Sequence, residues 1–161
     1  MFPIILISNR TVRIVLFSML LIWCIGFSSP SLFPNSQLIK IFHPVIKNLY
    51  GTVCHQQNDK TFIFSGQKFL VCARCTGIYF GALLMSFLSL FFFTKLQLKS
   101  KALYFASAPI LFDVICSTFE IYKYSKDVAF ITGMFFGSIV FLYIASILEN
   151  NFHFLFNTSK T

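Results

Sequence analysis

Charge is what this chain has least of. Only 11% of its 161 residues are Asp, Glu, Lys or Arg, and just 5 of them are acidic. A soluble globular domain carries about 25% charged residues, and with so few polar side chains a water-exposed surface could not be covered. Ordinary cytosolic enzymes and disordered chains are therefore excluded. Glycine, at 7 residues, and proline, at 5, are too scarce for collagen-like or low-complexity sequence. No glycine-rich phosphate loop and no Ser–His–Asp arrangement can be read. What fills the chain instead is apolar: 57% hydrophobic and 19% aromatic residues, 23 of them Phe. This is the composition of a membrane protein. The net charge of +8 would suggest nucleic acid in a soluble protein, but in an apolar chain it reads as membrane-flanking cations, and no nucleic-acid partner is expected.

Four apolar stretches, at about 14–27, 77–94, 102–119 and 128–148, approach the roughly 17–25 residues that cross a hydrocarbon core. The spacing predicts one integral membrane domain over 1–161: an all-α protein with four transmembrane helices arranged as two hairpins. Residues 1–7 are also apolar, and Asn9, Arg10 and Arg13 then interrupt the run, which suggests an interfacial arm. A signal peptide is the competing reading of this segment. Residues 28–76 form a long polar loop between the first and second spans, whereas 95–101 and 120–127 are short turns. Within the long loop, Leu38, Phe42, Val45 and Leu49 recur at helical spacing while Lys40 and Lys47 lie elsewhere on the wheel. An amphipathic surface helix over 36–50 is expected, with Pro44 able to kink it.

The second and fourth spans share a pattern. Thr76-Gly77, followed by Gly81, matches Thr132-Gly133, followed by Gly137. Each is a Gly-x-x-x-Gly notch that lets helix backbones approach closely in lipid. The four glycines are candidate packing positions, within the chain or between copies in a homo-oligomer.

The sharpest chemical signal is Cys54-His55-Gln56 followed by Cys72-Ala73-Arg74-Cys75-Thr76-Gly77. Cys-x-x-Cys supplies two thiolates from one tight turn, and Cys54 with His55 would complete a tetrahedral Cys₃His site for zinc, iron remaining an option. Adjacent ligands are unusual, so His55 could instead orient a ligand through a hydrogen bond. A membrane thiol–disulfide oxidoreductase using Cys72 and Cys75, at a helix start beside Arg74, is a second reading. A structural disulfide or plain buried thiols is a third.

Sidedness bears on the choice, because an oxidising compartment favours disulfides. Six cations fall on one side of the membrane and seven on the other, but those at 95–101 and before the first span are denser. That density places both termini in the cytoplasm and the cysteine loop outside a prokaryotic inner membrane.

Asp113 falls inside the third span, where a carboxyl must be paired, protonated or hydrated. Cys116 and Glu120 follow on the same helix face, and Arg74 is the nearest cation in register for either acid. Helix glue, an ion or proton site in a small transporter, and a ligand role for Asp113 are the readings. His43, His153, Cys24 and most tyrosines read as interfacial or buried packing.

Taken together, Cys54-His55-Gln56, Phe62, Gly66 and Cys72-Ala73-Arg74-Cys75-Thr76-Gly77-Ile78-Tyr79 with Gly81 resemble a prokaryotic integral membrane-protein family, domain of unknown function 2085. Asp113 and Thr132-Gly133 extend the resemblance into the third and fourth spans. Two positions depart from the pattern: residues 127–131, shortly before Thr132, include no Arg where the family usually has one, and Leu70 stands where proline is common. The resemblance implies an integral membrane protein with a polar cysteine motif; it implies no reaction or substrate.

Overall fold

The computed structural model describes residues 9–64, 66–91, 100–119 and 122–158. The N-terminal arm, part of the 95–101 turn and Glu120 lie outside them. The described chain is mostly helical, and its elements follow one another as α1 (Asn9–Leu32), α2 (Gln37–Gly51), a single 3₁₀ turn (Asn58–Lys60), β1 (Thr61–Phe64), β2 (Gln67–Cys72), α3 (Ala73–Phe91), α4 (Lys101–Thr118) and α5 (Lys126–Thr158). Four helical segments are long and apolar enough to cross a membrane: Arg10–Leu32, Ala73–Phe91, Lys101–Thr118 and Lys126–Leu148. Most of their outward residues are apolar. On α4, Phe105 is 79% and Phe112 70% exposed, while Asp113 beside them is 3% exposed. In water that pattern would be inside out; in lipid it is the expected one.

Within the bundle, α3 lies against α1 on one side and α5 on the other, and α4 packs on α5. The contact between α3 and α5 is made of backbone. A Cβ on Gly77 would strike the Phe130 carbonyl, one on Gly81 the Met134 carbonyl, one on Gly133 the Arg74 carbonyl and one on Gly137 the Ile78 carbonyl. The two notches face each other within one chain, the helices run parallel, and Ser138 Oγ donates to the Gly81 carbonyl across the seam. At the opposite end from the cysteines, Arg13 is buried rather than flanking the membrane, and its Nη1 donates to the Ser89 carbonyl at 2.7 Å.

The long polar loop is more ordered than its composition suggests. The first helix continues to Leu32, with Pro30 inside it. Tyr50 at the end of α2 then wedges against α1, its hydroxyl donating to the Trp23 carbonyl at 2.9 Å over the bare backbone of Gly26. Behind it, β1 and β2 form an antiparallel hairpin, with Thr61 opposite Cys72 and Phe64 opposite Gln67, irregular between Thr61 and Ile63. Gly66 adopts φ +76° in the turn, a conformation that costs a side chain strain. Three contacts seat the hairpin on the bundle. Ser31 Oγ donates to the Gln67 carbonyl, Lys126 Nζ to the Thr61 carbonyl at 2.8 Å, and the Phe62 ring meets Phe130 edge-on.

Gly81→Leu should cost about 3 kcal/mol or more, because relief requires the two helices to separate. A methyl at Gly51 would meet nothing closer than Gln56 Nε2 at 3.8 Å, so Gly51→Ala should stay within about 0.5 kcal/mol. Thermal unfolding in detergent compares the two directly, and equal melting temperatures would contradict the seam.

Candidate functional site

Three elements converge where the hairpin meets the bundle. Cys54 follows the last turn of α2, Cys72 ends β2 and Cys75 lies in the first turn of α3. Their sulfurs all lie within 4.8 Å of one another, and all three cysteines are free thiols. Local backbone geometry aims donors at this point. Tyr50 accepts the Cys54 N–H at 3.0 Å, which folds the chain back from α2. Gln56, at φ +48°, reverses it again. The Cys72 N–H donates to Cys54 Sγ at 3.2 Å. Hydrogen bonds from the Cys72 and Cys75 thiols, reinforced by the Cys72 and Gln56 amides, hold the Cys54 thiol far below its usual range despite burial. The same bond to Cys54 pushes Cys72 up. Thiolate character is thus concentrated on Cys54, outside the Cys-x-x-Cys pair.

The sulfurs open on a cleft of about 250 Å³ also lined by His55, Lys60, Arg74 and Tyr124. His55 is exposed at its edge and its ring lies outside the three-sulfur group. Lys60 Nζ stands 5.3 Å over the Tyr124 ring, and burial pushes the Tyr124 hydroxyl up to about 12.

Arg74 leads from this cleft into the membrane. It forms a salt bridge with Asp113 of α4, whose side chain is 2% exposed against 22% for Arg74. Tyr122, just past α4, donates to the other Asp113 oxygen, a partner that sequence reasoning placed merely at the interface. That bond pushes the Tyr122 hydroxyl up to about 12, so it remains a donor throughout the ordinary pH range. Cys116 is buried one turn further along the Asp113 face. The signal that could have found Tyr122 is its position nine residues after a buried acid, where the chain leaves the helix. The hairpin was missed for a similar reason: Thr61–Phe64 and the run before Cys72 are β-formers around Gly66, but each is too short to stand out from a polar loop.

Residues 54–143 match the model of a family described as predicted membrane protein, DUF2085. The chain belongs to this family. It is 31% identical over 141 residues to an uncharacterized protein of Methanocaldococcus jannaschii, covering 83% of this chain and 90% of the relative. A second uncharacterized protein, from Methanothermobacter thermautotrophicus, is 57% identical over 30 residues, 19% of this chain and 27% of its own length. No solved structure matches. The matched region begins at Cys54 and takes in the cysteine cluster, Arg74, Asp113 and all four seam glycines of this DUF2085 member.

The ion pair yields an asymmetric prediction. Arg74→Gln strands the more deeply buried partner and should cost about 3 kcal/mol, more than Asp113→Asn, which leaves a guanidinium able to reach the cleft. The double variant should cost less than the sum of the two. Unfolding midpoints of the three variants check both statements, and strict additivity would show the pair to be uncoupled.

Proposed function

We propose that this membrane protein carries a thiolate metal site, of the zinc type, formed by Cys54, Cys72 and Cys75 at one membrane face. The observation that carries the reading is three sulfurs from three chain elements within 4.8 Å. Tetrahedral zinc with bonds of about 2.3 Å to sulfur holds its thiolates about 3.8 Å apart, a spacing this cluster accommodates. A disulfide joins two sulfurs and leaves the third without a purpose. The Cys72 and Gln56 N–H groups directed at Cys54 Sγ are support of the kind that orients metal ligands. The fourth position faces the cleft, where His55 or water would complete the shell. When bound, the metal would supply positive charge to the thiolates and link α2, the hairpin and α3.

Redox exchange by Cys72 and Cys75 is supported less well, since an attacking thiol needs a lowered pKa and Cys72 is pushed the other way. An ion-carrying role for Asp113 is likewise disfavoured, because Arg74 and Tyr122 engage both its oxygens. We read the Arg74–Asp113–Tyr122 chain as a positioning device for the Cys-x-x-Cys turn. In the same reading α1 with α3 and α4 with α5 are the two hairpins. Both termini lie in the cytoplasm of a prokaryotic inner membrane, with the cysteine face outside.

Metal analysis of the detergent-purified chain tests the site. About one zinc or iron per chain is expected, lost in Cys54→Ser, and cobalt(II) loading should give intense sulfur-to-metal charge-transfer absorption that falls in the same variant. Folded chain without metal, whose cobalt complex lacks that absorption, would overturn the proposal. Mass shifts on alkylation before and after reduction separate it from a disulfide.

A further inference from the structure

A second concave surface adjoins the cysteine cleft, with Gln56 lining both. Between α2 and β2 is a cleft of about 360 Å³ lined by His43, Lys47 and Lys68, with Gln67 at its wall. A second cleft, of about 300 Å³, shares His43 and Gln67 with it and is lined by Phe33, Pro34 and Ile39, with Lys40 adding a further cation. The two form one groove, with Lys47 and Lys68 in one part and Phe33, Pro34 and Ile39 beside Lys40 in the other. No acidic residue lines either part. Its walls are built rather than loose: Gln56 Nε2 donates to the Lys47 carbonyl at 2.8 Å, and Ser31 Oγ fixes Gln67 at 3.1 Å.

The outer face of α2 says what surrounds this groove. Leu38 and Ile41 are each 67% exposed, and Phe42, Val45 and Leu49 continue the exposed stripe. Ile39, His43, Ile46 and Tyr50 form a separate inward stripe. A helix with such an outer face lies in the bilayer interface, its stripe in the acyl boundary and its lysines at headgroup level. The groove therefore opens where phospholipid headgroups are.

We propose that this groove binds one anionic phospholipid, its phosphate held by Lys47, Lys68 and His43 and the start of its acyl chains lying along Phe33, Pro34 and Ile39. Charge complementarity, together with the apolar wall of Phe33, Pro34 and Ile39 beside the cations, selects this occupant over a soluble anion, which would leave that wall unused. Basic pockets on membrane proteins recognise headgroups in this way. The inference is independent of metal at the cysteines.

Native mass spectrometry of the full chain, released from nanodiscs of mixed phosphatidylglycerol and phosphatidylcholine, reads the retained lipid. One phosphatidylglycerol per chain is expected. Lys47→Gln with Lys68→Gln should weaken its retention about twenty-fivefold, the product of about fivefold for each lysine. A control pair of equal charge, Arg10→Gln with Lys123→Gln, both exposed and outside the groove, should leave it unchanged. Unaltered melting of each pair in phosphatidylcholine alone shows that the fold is intact, and if the first pair unfolds, Lys68→Gln alone is compared with Lys123→Gln. Equal retention of the two lipids, equal loss in the control pair, or displacement of phosphatidylglycerol by millimolar inorganic phosphate would each overturn the proposal.

Discussion

A carboxylate buried inside a membrane span has to be answered by a cation, and in this protein the answer fixes the site. Asp113 is buried on α4, and the cation that meets it, Arg74, is one of the two residues between the cysteines of the Cys-x-x-Cys turn. Leaving that charge uncompensated would cost several kcal/mol, so α4 cannot rotate or slide without disturbing the cysteines. Arg74 is held from a second direction as well. Its backbone carbonyl lies on Gly133, where any Cβ would collide with it. The side chain ties the turn to α4 and the main chain ties it to α5. The start of α3 is thereby the point where three of the four spans meet, and the cysteines inherit its rigidity.

Such an arrangement explains why the small residues and the polar ones belong together. In lipid no hydrophobic force draws helices together, so contact must come from close packing and hydrogen bonds. Gly77 and Gly133 let α3 and α5 approach until backbone meets backbone. The same approach brings Phe130 of α5 under Phe62 of the hairpin, and Lys126, at the start of α5, reaches the Thr61 carbonyl. Widening the seam would move the hairpin, and Cys72 ends the hairpin. Oligomerisation through these notches would compete with a contact the chain already makes for itself.

The parts legible in the sequence were those with long-range periodicity or rare chemistry. Spans announce themselves through eighteen or more apolar residues, and Asp113 by its presence in one. Cys54, Cys72 and Cys75 were legible because thiols at that spacing are scarce. His55 was chosen with them on adjacency, which does not specify direction. The turn at Gln56, with φ +48°, sets where the neighbouring side chains point, and a positive φ at glutamine has no signature in composition. Tyr122 and the hairpin escaped because each depends on tertiary contact: four- and six-residue strands are not stable alone and exist here by seating on Ser31, Lys126 and Phe130. Arg13 is the converse case. It reads as an interfacial cation, and packing buried it at the end of α3.

Charge accounting at the cysteines leads one step further. Arg74 is the cation nearest them in sequence, and at a helix start it would ordinarily favour thiolates. Its charge, however, is already matched by Asp113, so little of it is left for the sulfurs. Three thiolates within 4.8 Å would repel one another by more than a kcal/mol per pair even at surface-like screening. Hydrogen bonds can share protons among them, which is how Cys54 gains thiolate character at the expense of Cys72. They cannot sustain all three as anions. Full ionisation of this cluster requires positive charge from outside the chain, delivered among sulfurs that lie within 4.8 Å of one another. A divalent ion meets that requirement in a single step, and Arg74, committed to Asp113, does not compete with it for the sulfurs.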